Sequence, residues 1–351
     1  MLYSENLIIV IWLLLVGTSS FVLTFFIRSY ALKKSLLDIP NIRSSHSVPT
    51  PRGGGVAIII SFFASLLILV LKNQLDQSMV VGMIGGGMLV GLVGFIDDHR
   101  HITARWRLLV HFTAAVLILY VLGGLPPLHV FGARIDLMWF GHLLATLYLV
   151  WLLNLYNFMD GIDGIASIEA ITVCLGGIIL YWVVEPSGIT WLVPAILLFS
   201  VAGFLFWNFP KAKIFMGDAG SGFLGLMLGA LSIQAAWIAP KLFWGWIILL
   251  GVFLVDATVT LIRRILRKEK FYVAHCSHGY QHAARQLNSH VRVSLSIGLI
   301  NLIWLLPIAV LVALDYLDGT MGVIIAYIPL IFLTIYFKSG VTENNGRDSI
   351  R

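Results

Sequence analysis

Charge is what this chain has least of. Only 11% of its 351 residues are Asp, Glu, Lys or Arg, against roughly a quarter in an ordinary globular protein. Hydrophobic residues make up 59%, and the mean hydropathy is +0.94. Together these values exclude soluble domains, a disordered chain and a soluble nucleic-acid binder, although the net charge is +6 and the pI about 9.3. Cysteine is nearly absent as well. Cys174 falls in an apolar run and Cys276 in a polar loop, so neither a disulfide scaffold nor an oxidising compartment is implied. A zinc site built from His275, Cys276, His278 and His282 has too compressed a spacing and lacks a second ligand pair. No Lys or Arg precedes Leu7, and no small-residue cleavage site closes the first apolar run before Arg28. That run reads as an uncleaved span rather than a signal peptide.

What is abundant is apolar length. Eleven stretches approach the roughly 20 residues that cross a hydrocarbon core: 6–27, 54–71, 79–96, 108–124, 140–158, 165–184, 189–207, 222–239, 242–262, 293–313 and 320–337. Two of them contain a polar intruder, Glu169 and Gln234. The runs are continuous rather than alternating, which excludes a β-barrel and leaves helices as the spanning element. The fold class expected is therefore all-α, a polytopic integral membrane protein forming one domain over 1–351, with a basic, His-containing loop at 263–292 and a flexible tail at 338–351. With the N-terminus outside, alternate loops and the tail gather 20 of the 23 Lys and Arg residues, leaving Lys72, Arg134 and Lys241 on the other side. The positive-inside rule then puts those loops and the C-terminus in the cytosol, where the basic surplus also attracts anionic membrane lipid.

Carboxylates beside a membrane are costly, so their placement is informative. Asp97 and Asp98 end the third run in GFIDDH, and adjacent carboxylates repel unless a metal or an Arg lies close; Arg100, Arg105 and Arg107 follow. In NLYNFMDGIDGIA, Asn154, Asn157, Asp160 and Asp163 recur at intervals of three, a polar stripe suited to a wet or ligand-filled cleft. KIFMGDAGSG sets Lys213 and Asp218 before a run of small residues at a helix start, where backbone N–H groups and the helix dipole favour phosphate. It is not a Walker loop, because the Lys precedes the glycines. Carboxylates together with phosphate oxygens suit a hard cation, Mg2+ or Mn2+. Asp256 lies near the end of the ninth run, and Arg263, Arg264, His275, His278, Gln281, His282 and Arg285 follow in the longest loop, where the spacing from 278 onward predicts a surface helix. On the opposite side Asp76, Asp136, Glu185, Asp315 and Asp318 read as solvated loop charges.

These motifs, in this order between these runs, carry a family resemblance over nearly the whole chain. PTPRGGG before the second run, DD after the third, NxxNxxDGxDG after the fifth, FMGDxGS after the seventh, Asp256 with Arg263 and Arg264, and the His loop resemble the polyprenyl-phosphate N-acetylhexosamine-1-phosphate transferases of glycosyltransferase family 4. AHCSHGYQ looks most like the O-antigen-initiating branch. The muramyl-pentapeptide branch carries consecutive histidines and a lysine ahead of its glycine turn, whereas this chain reads HCSHGYQ and has Arg52 before the glycines.

The resemblance implies transfer of a sugar 1-phosphate from a UDP-N-acetyl sugar to undecaprenyl phosphate in a bacterial cytoplasmic membrane, with release of UMP and dependence on magnesium. The expected roles are catalytic for Asp97, Asp98, Asp160 and Asp163, and metal-binding for Asp218 and Asp98. Substrate binding falls to Asn154, Asn157, Lys213, Arg264, His275, His278, Gln281 and Arg285, with sugar selectivity in the His loop. Partners are the two substrates and membrane lipid, with a second copy of the chain as a candidate and no nucleic acid. The competing class is a secondary transporter, which places its acids near the midplane of broken helices in two matching halves. Here the acids sit at the ends of runs, and no motif pair relates 1–175 to 176–351.

Overall fold

A long apolar stretch has no water to satisfy its peptide groups, so it closes its own hydrogen bonds as a helix. The computed structural model describes residues 2–40, 46, 48–100, 102–269 and 276–341. His275, Lys270 and most of the expected tail lie outside the described residues. Fourteen α-helices are present among them: α1 (Leu2–Lys33), α2 (Gly55–Leu71), α3 (Gln77–His99), α4 (Ala104–Leu122), α5 (Met138–Met159), α6 (Ile165–Val184) and α7 (Leu192–Asn208), followed by α8 (Gly217–Ile238), α9 (Pro240–Leu249), α10 (Gly251–Leu266), α11 (Gly279–Leu287), α12 (His290–Ile300), α13 (Leu306–Ala313) and α14 (Gly319–Tyr336). Two short antiparallel pairs complete the list, β1 (Leu37–Asp38) with β2 (Thr50–Pro51) and β3 (Leu128–Val130) with β4 (Ala133–Ile135).

By length and composition, eight helices can cross a membrane, and nine if α9 and α10 form one broken span. The expected eleven also counted α2 and α7. Each has 17 residues, about 26 Å of helix, at the lower limit of the length that crosses a hydrocarbon core. Both pack against α1 and against each other.

The expected continuous span at 242–262 is instead bent by 68° between α9 and α10. Gly251 sits at the break, where a Cβ would lie 2.9 Å from the Tyr327 ring. Tyr327 Oη donates to Ile247 O at 2.7 Å, satisfying one of the last-turn carbonyls of α9. A second irregularity, a π-helical turn at Asn301–Leu305, joins α12 to α13. Asn301 Nδ2 donates from it to Glu169 Oε2 at 2.7 Å and to Thr172 Oγ1 at 2.8 Å, which accounts for Glu169 inside α6.

The core is centred on α8, whose apolar window is 89% buried, against 22% for α1 and 28% for α14. Helices α2, α3, α4, α5, α6 and α9 surround it. Small residues permit that approach: a Cβ at Gly55 would collide with Gly220 Cα, and one at Gly94 would lie 2.5 Å from Ala219 N and Cα. Close backbone contact of this kind is how helices associate in lipid. All five charges expected to be merely solvated have definite partners: Asp136 accepts from Met138 N, Glu185 accepts from Thr190 Oγ1, and Asp315 pairs with Lys241. Asp76 caps α3 through Ser78, and Asp318 caps α14 through the N–H groups of Thr320 and Met321 while accepting from Gly132 N.

Candidate active site

The motif segments converge where α3 and α5 end and α8 begins. The segment leading from β2 into α2 is stitched to the stretch ahead of α8, with Phe215 N donating to Pro51 O (2.8 Å), Gly54 N to Phe215 O (2.9 Å) and Gly55 N to Met216 O (2.9 Å). This fixes Arg52 over the end of α3, where its Nε lies 3.3 Å from Asp98 Oδ1. Asp98 is buried and accepts from the backbone N–H of Asp218 (3.1 Å) and of Ala219 (3.5 Å). A carboxylate thus meets the N-terminal N–H groups of α8, the placement the helix dipole favours. Gly217 has φ +78°, and a Cβ there would press on the Asp98 carboxylate.

Asp97 faces the other way. It accepts from Ile102 N and from Arg107 Nη1, both at 2.6 Å, and the same Arg107 nitrogen lies 3.4 Å from Asp218 Oδ2. Asn208, at the end of α7, joins two loops: its Oδ1 accepts from Gly164 N at 2.9 Å and its Nδ2 donates to Ile214 O at 3.0 Å. Asp163 lies 3.4 Å from His290 Nδ1, and its carbonyl accepts from Ser294 Oγ at 2.8 Å.

The result is a cavity of about 180 Å³ whose wall includes Arg52, Asn157, Asp160, Asp163, Asp218, Ser221, Gln281 and His290, with Asp38, His46 and Phe215 from the neighbouring turns. A crevice of about 10 Å³, bordered by Asp97, Arg107, His111, Asn157 and Asp218, adjoins it. Desolvation, then the carboxylates of Asp218, Asp98 and Asp163, push Asp160 up to about 7. So many acids around one polar cavity are short of positive charge. Among the described residues no three His, Cys, Asp or Glu side chains are close enough to form a protein-only metal cage. One or two carboxylates completed by substrate phosphates and water suit Mg2+, which rarely takes a cage made wholly of protein.

Residues 80–236 match the model of Glycosyl transferase family 4. Over 323 residues, 90% of this chain and 87% of the relative, it is 30% identical to a probable undecaprenyl-phosphate N-acetylglucosaminyl 1-phosphate transferase of Bacillus subtilis. The chain belongs to glycosyl transferase family 4. It is also 33% identical to the decaprenyl-phosphate N-acetylglucosaminephosphotransferase of Mycolicibacterium smegmatis, with 64% of this chain and 60% of that one covered. A phospho-N-acetylmuramoyl-pentapeptide-transferase of Streptococcus pyogenes is 30% identical over 61% of this chain and 69% of its own.

In this family member, the expected site residues divide. Asp160, Asp163, Asp218, Asn157 and Gln281 line the cavity, and Asp97 borders the crevice. Asp98, expected to hold metal, is engaged by the α8 N–H groups and by Arg52. Asn154 turns back to donate to Val150 O at 2.7 Å. Lys213 is exposed and lies with Arg28 beside the Trp207 ring, at 5.6 and 5.9 Å from its centroid, outside the cavity wall. Arg264 is buried and pairs with Glu269 at 3.2 Å.

His278 is buried and also absent from the cavity wall. Its ring stacks near Phe158 and Tyr280, and burial, then Arg264 and His282, push it down to about 3. Arg285 donates to Cys276 O at 3.0 Å, bracing the loop. His275 lies outside the described residues. Residues that sequence reasoning missed are Asn208, His111 and His290, single polar residues on or at the ends of apolar helices with no motif around them.

Proposed function

We propose that this chain transfers N-acetylhexosamine 1-phosphate from a UDP-sugar to undecaprenyl phosphate, releasing UMP and starting O-antigen or a related cell-surface glycan. The observation that carries the reading is the cavity walled by Asp160, Asp163 and Asp218, with Arg52 and Arg107 beside it. The names of the relatives support a polyprenyl-phosphate acceptor and an N-acetylated sugar phosphate, and the His loop supports the O-antigen branch.

The lipid phosphate is largely dianionic near neutral pH, because its second pKa is about 6. An oxygen of it attacks the sugar-bearing phosphorus of the UDP-sugar. A new P–O bond forms, the bond to the bridging oxygen breaks, and UMP leaves with the electron pair. Such a transfer depends on alignment and charge neutralisation more than on a dedicated base. Arg107 stands beside both Asp97 and Asp218, at the border between the crevice and the main cavity, where an incoming phosphate meets a guanidinium. Asp218 and Asp160 would hold Mg2+ together with phosphate oxygens, and the ion would supply charge neutralisation on the diphosphate. Gln281 and Asn157 offer hydrogen bonds to the sugar or the nucleotide.

The test is turnover with a panel of UDP-N-acetyl sugars and undecaprenyl phosphate, read as UMP and lipid-linked product. Product from at least one donor is expected with Mg2+ and none in excess chelator. Absence of product from every donor, or undiminished product under chelation, overturns the reading.

The proposed site is cytosolic, with the N-terminus outside and the C-terminus inside, in a bacterial cytoplasmic membrane. Support comes from the 20-to-3 split of cations and from the cytosolic location of nucleotide sugars. Gln286, exposed on α11, is a suitable reporter. In a background lacking Cys174 and Cys276, Gln286→Cys is expected to resist an impermeant thiol reagent in intact cells and to react after permeabilisation. Labelling in intact cells reverses the topology.

A further inference from the structure

Asp256 is a membrane-edge carboxylate that the cavity does not use. It is buried near the middle of α10 and is not part of the cavity wall. Its two oxygens accept from four donors on three parts of the chain: Gly279 N at 2.8 Å and Tyr280 N at 2.9 Å from α11, Thr260 Oγ1 at 3.2 Å one turn along α10, and Ser339 Oγ at 3.1 Å after α14. An ionised carboxylate is acceptor-only, and here Oδ1 gathers the Gly279, Thr260 and Ser339 donors while Oδ2 takes Tyr280 N. Gly279 has to be glycine for this, since a Cβ would collide with Ser339 Oγ and lie 3.2 to 3.3 Å from the carboxylate oxygens. The first N–H groups of a helix lack intrahelical partners, and Asp256 takes those of Gly279 and Tyr280 beside the capping box that His278 and Gln281 form with each other.

The segment after α14 is tied to the same place. Gly340 N donates to Ser277 O at 2.6 Å, Arg263 Nη1 to Ser339 O at 2.8 Å and Arg267 Nη1 to Gly340 O at 3.0 Å. From the anchored turn, two side chains reach toward the catalytic loops. Tyr280 Oη donates to Phe158 O at 3.0 Å and occupies the space where a Cβ at Gly161 would be. Gln281 Oε1 accepts from His278 N at 3.2 Å, which leaves its amide nitrogen for the cavity.

We propose that Asp256, with Ser339, is a positioning residue that holds the start of α11 so that Gln281 lines the cavity and Tyr280 braces the turn at 158–161 beside Asp160. This rests on the reading of that cavity as a UDP-sugar site. The last described turn of the chain is thereby part of the active-site scaffold, although no residue of it touches the cavity.

Asp256→Asn is the sharpest probe. It keeps the size but replaces an acceptor oxygen with a donor NH2 among four donors, so at least one buried N–H or O–H loses its partner. Two readouts apply: Michaelis constants for UDP-N-acetylglucosamine and for undecaprenyl phosphate, and amide hydrogen exchange over 276–287. We expect Asp256→Asn to raise the donor KM about tenfold or more, the scale of losing a buried charge-assisted hydrogen bond, to leave the acceptor KM within about twofold, and to speed exchange at Gly279 and Tyr280. Ser339→Ala gives a smaller change in the same direction, and Asp256→Glu restores part of the donor affinity.

A wild-type donor KM with unchanged exchange in Asp256→Asn overturns the proposal, and so does an equal rise in both constants. If Asp256→Asn does not fold, Ser339→Ala decides, and unchanged donor KM and exchange in it overturn the proposal. Should the wild-type protein turn over no UDP-sugar, the cavity reading fails, while the exchange measurement still decides whether Asp256 holds α11.

Discussion

Asp218→Asn is expected to lower turnover by about 10³-fold, the scale seen when a preorganised electrostatic group is removed from a reacting centre, with the helices still folded. The separation of these effects follows from the contacts. It is the backbone N–H of Asp218 that Asp98 holds, and a substitution leaves it in place. Among the described residues the side chain pairs with Arg107 at 3.4 Å and lies against the Asp97 carboxyl, and Arg107 keeps its shorter bond to Asp97 at 2.6 Å. An asparagine therefore fits the site but removes a negative charge from a cavity whose other acids are already crowded. Turnover of purified variant and wild type, with thermal unfolding measured alongside, checks this. Wild-type-like turnover in the variant would remove Asp218 from the chemistry, and loss of the folded protein would show the residue to be structural.

Gly94→Val is expected to reduce both folding and activity. A Cβ at this position already lies 2.5 Å from the backbone of Ala219 and 2.7 Å from Asp218 C, and backbone atoms cannot rotate away. Either α3 or the first turn of α8 has to move. Overpacking of this kind destabilises by about 1 to 3 kcal/mol, and a displacement near 1 Å at reacting groups lowers turnover by about 10²-fold. The loss should appear in the folded fraction itself, measured as turnover per mole of monodisperse protein, and Gly94→Ala should fall between wild type and Gly94→Val. Full specific activity in Gly94→Val would show that α8 can shift without disturbing its acids.

The apolar runs were legible because a bilayer leaves a chain little choice, and the acid clusters because a carboxylate at an apolar helix end needs a reason. For the same cause Asp160, Asp163, Asp218 and Asn157 were identifiable from spacing, and the structure gathers them around one cavity. Direction was not legible. Spacing of four and three put His278, His282 and Arg285 on a helix, and α11 forms there, but its burial against Phe158 and Tyr280 turns His278 inward. Lys213 shares a motif with Asp218, yet Trp207 and Arg28 hold it on the outer side. The bend between α9 and α10 left only Gly251 as a local signal, because no Pro lies there and the Tyr327 hydroxyl that takes up Ile247 O comes from 80 residues away. His290 and Asn208 gain their place only from neighbours that tertiary packing supplies.

Asn208 sets the spacing between loops by a route that bypasses the backbone. The segment that joins α7 to α8 runs through a cis Phe209–Pro210 bond and on to Ile214, but the distance between the glycine turn at Gly164 and the stretch that delivers Asp218 is spanned by a single carboxamide with one hydrogen bond at each end. The separation of the two acid-bearing loops thus follows the reach of one side chain, backed by the Phe209 ring against Gly164 and by Lys213 N donating to Trp207 O at 2.7 Å.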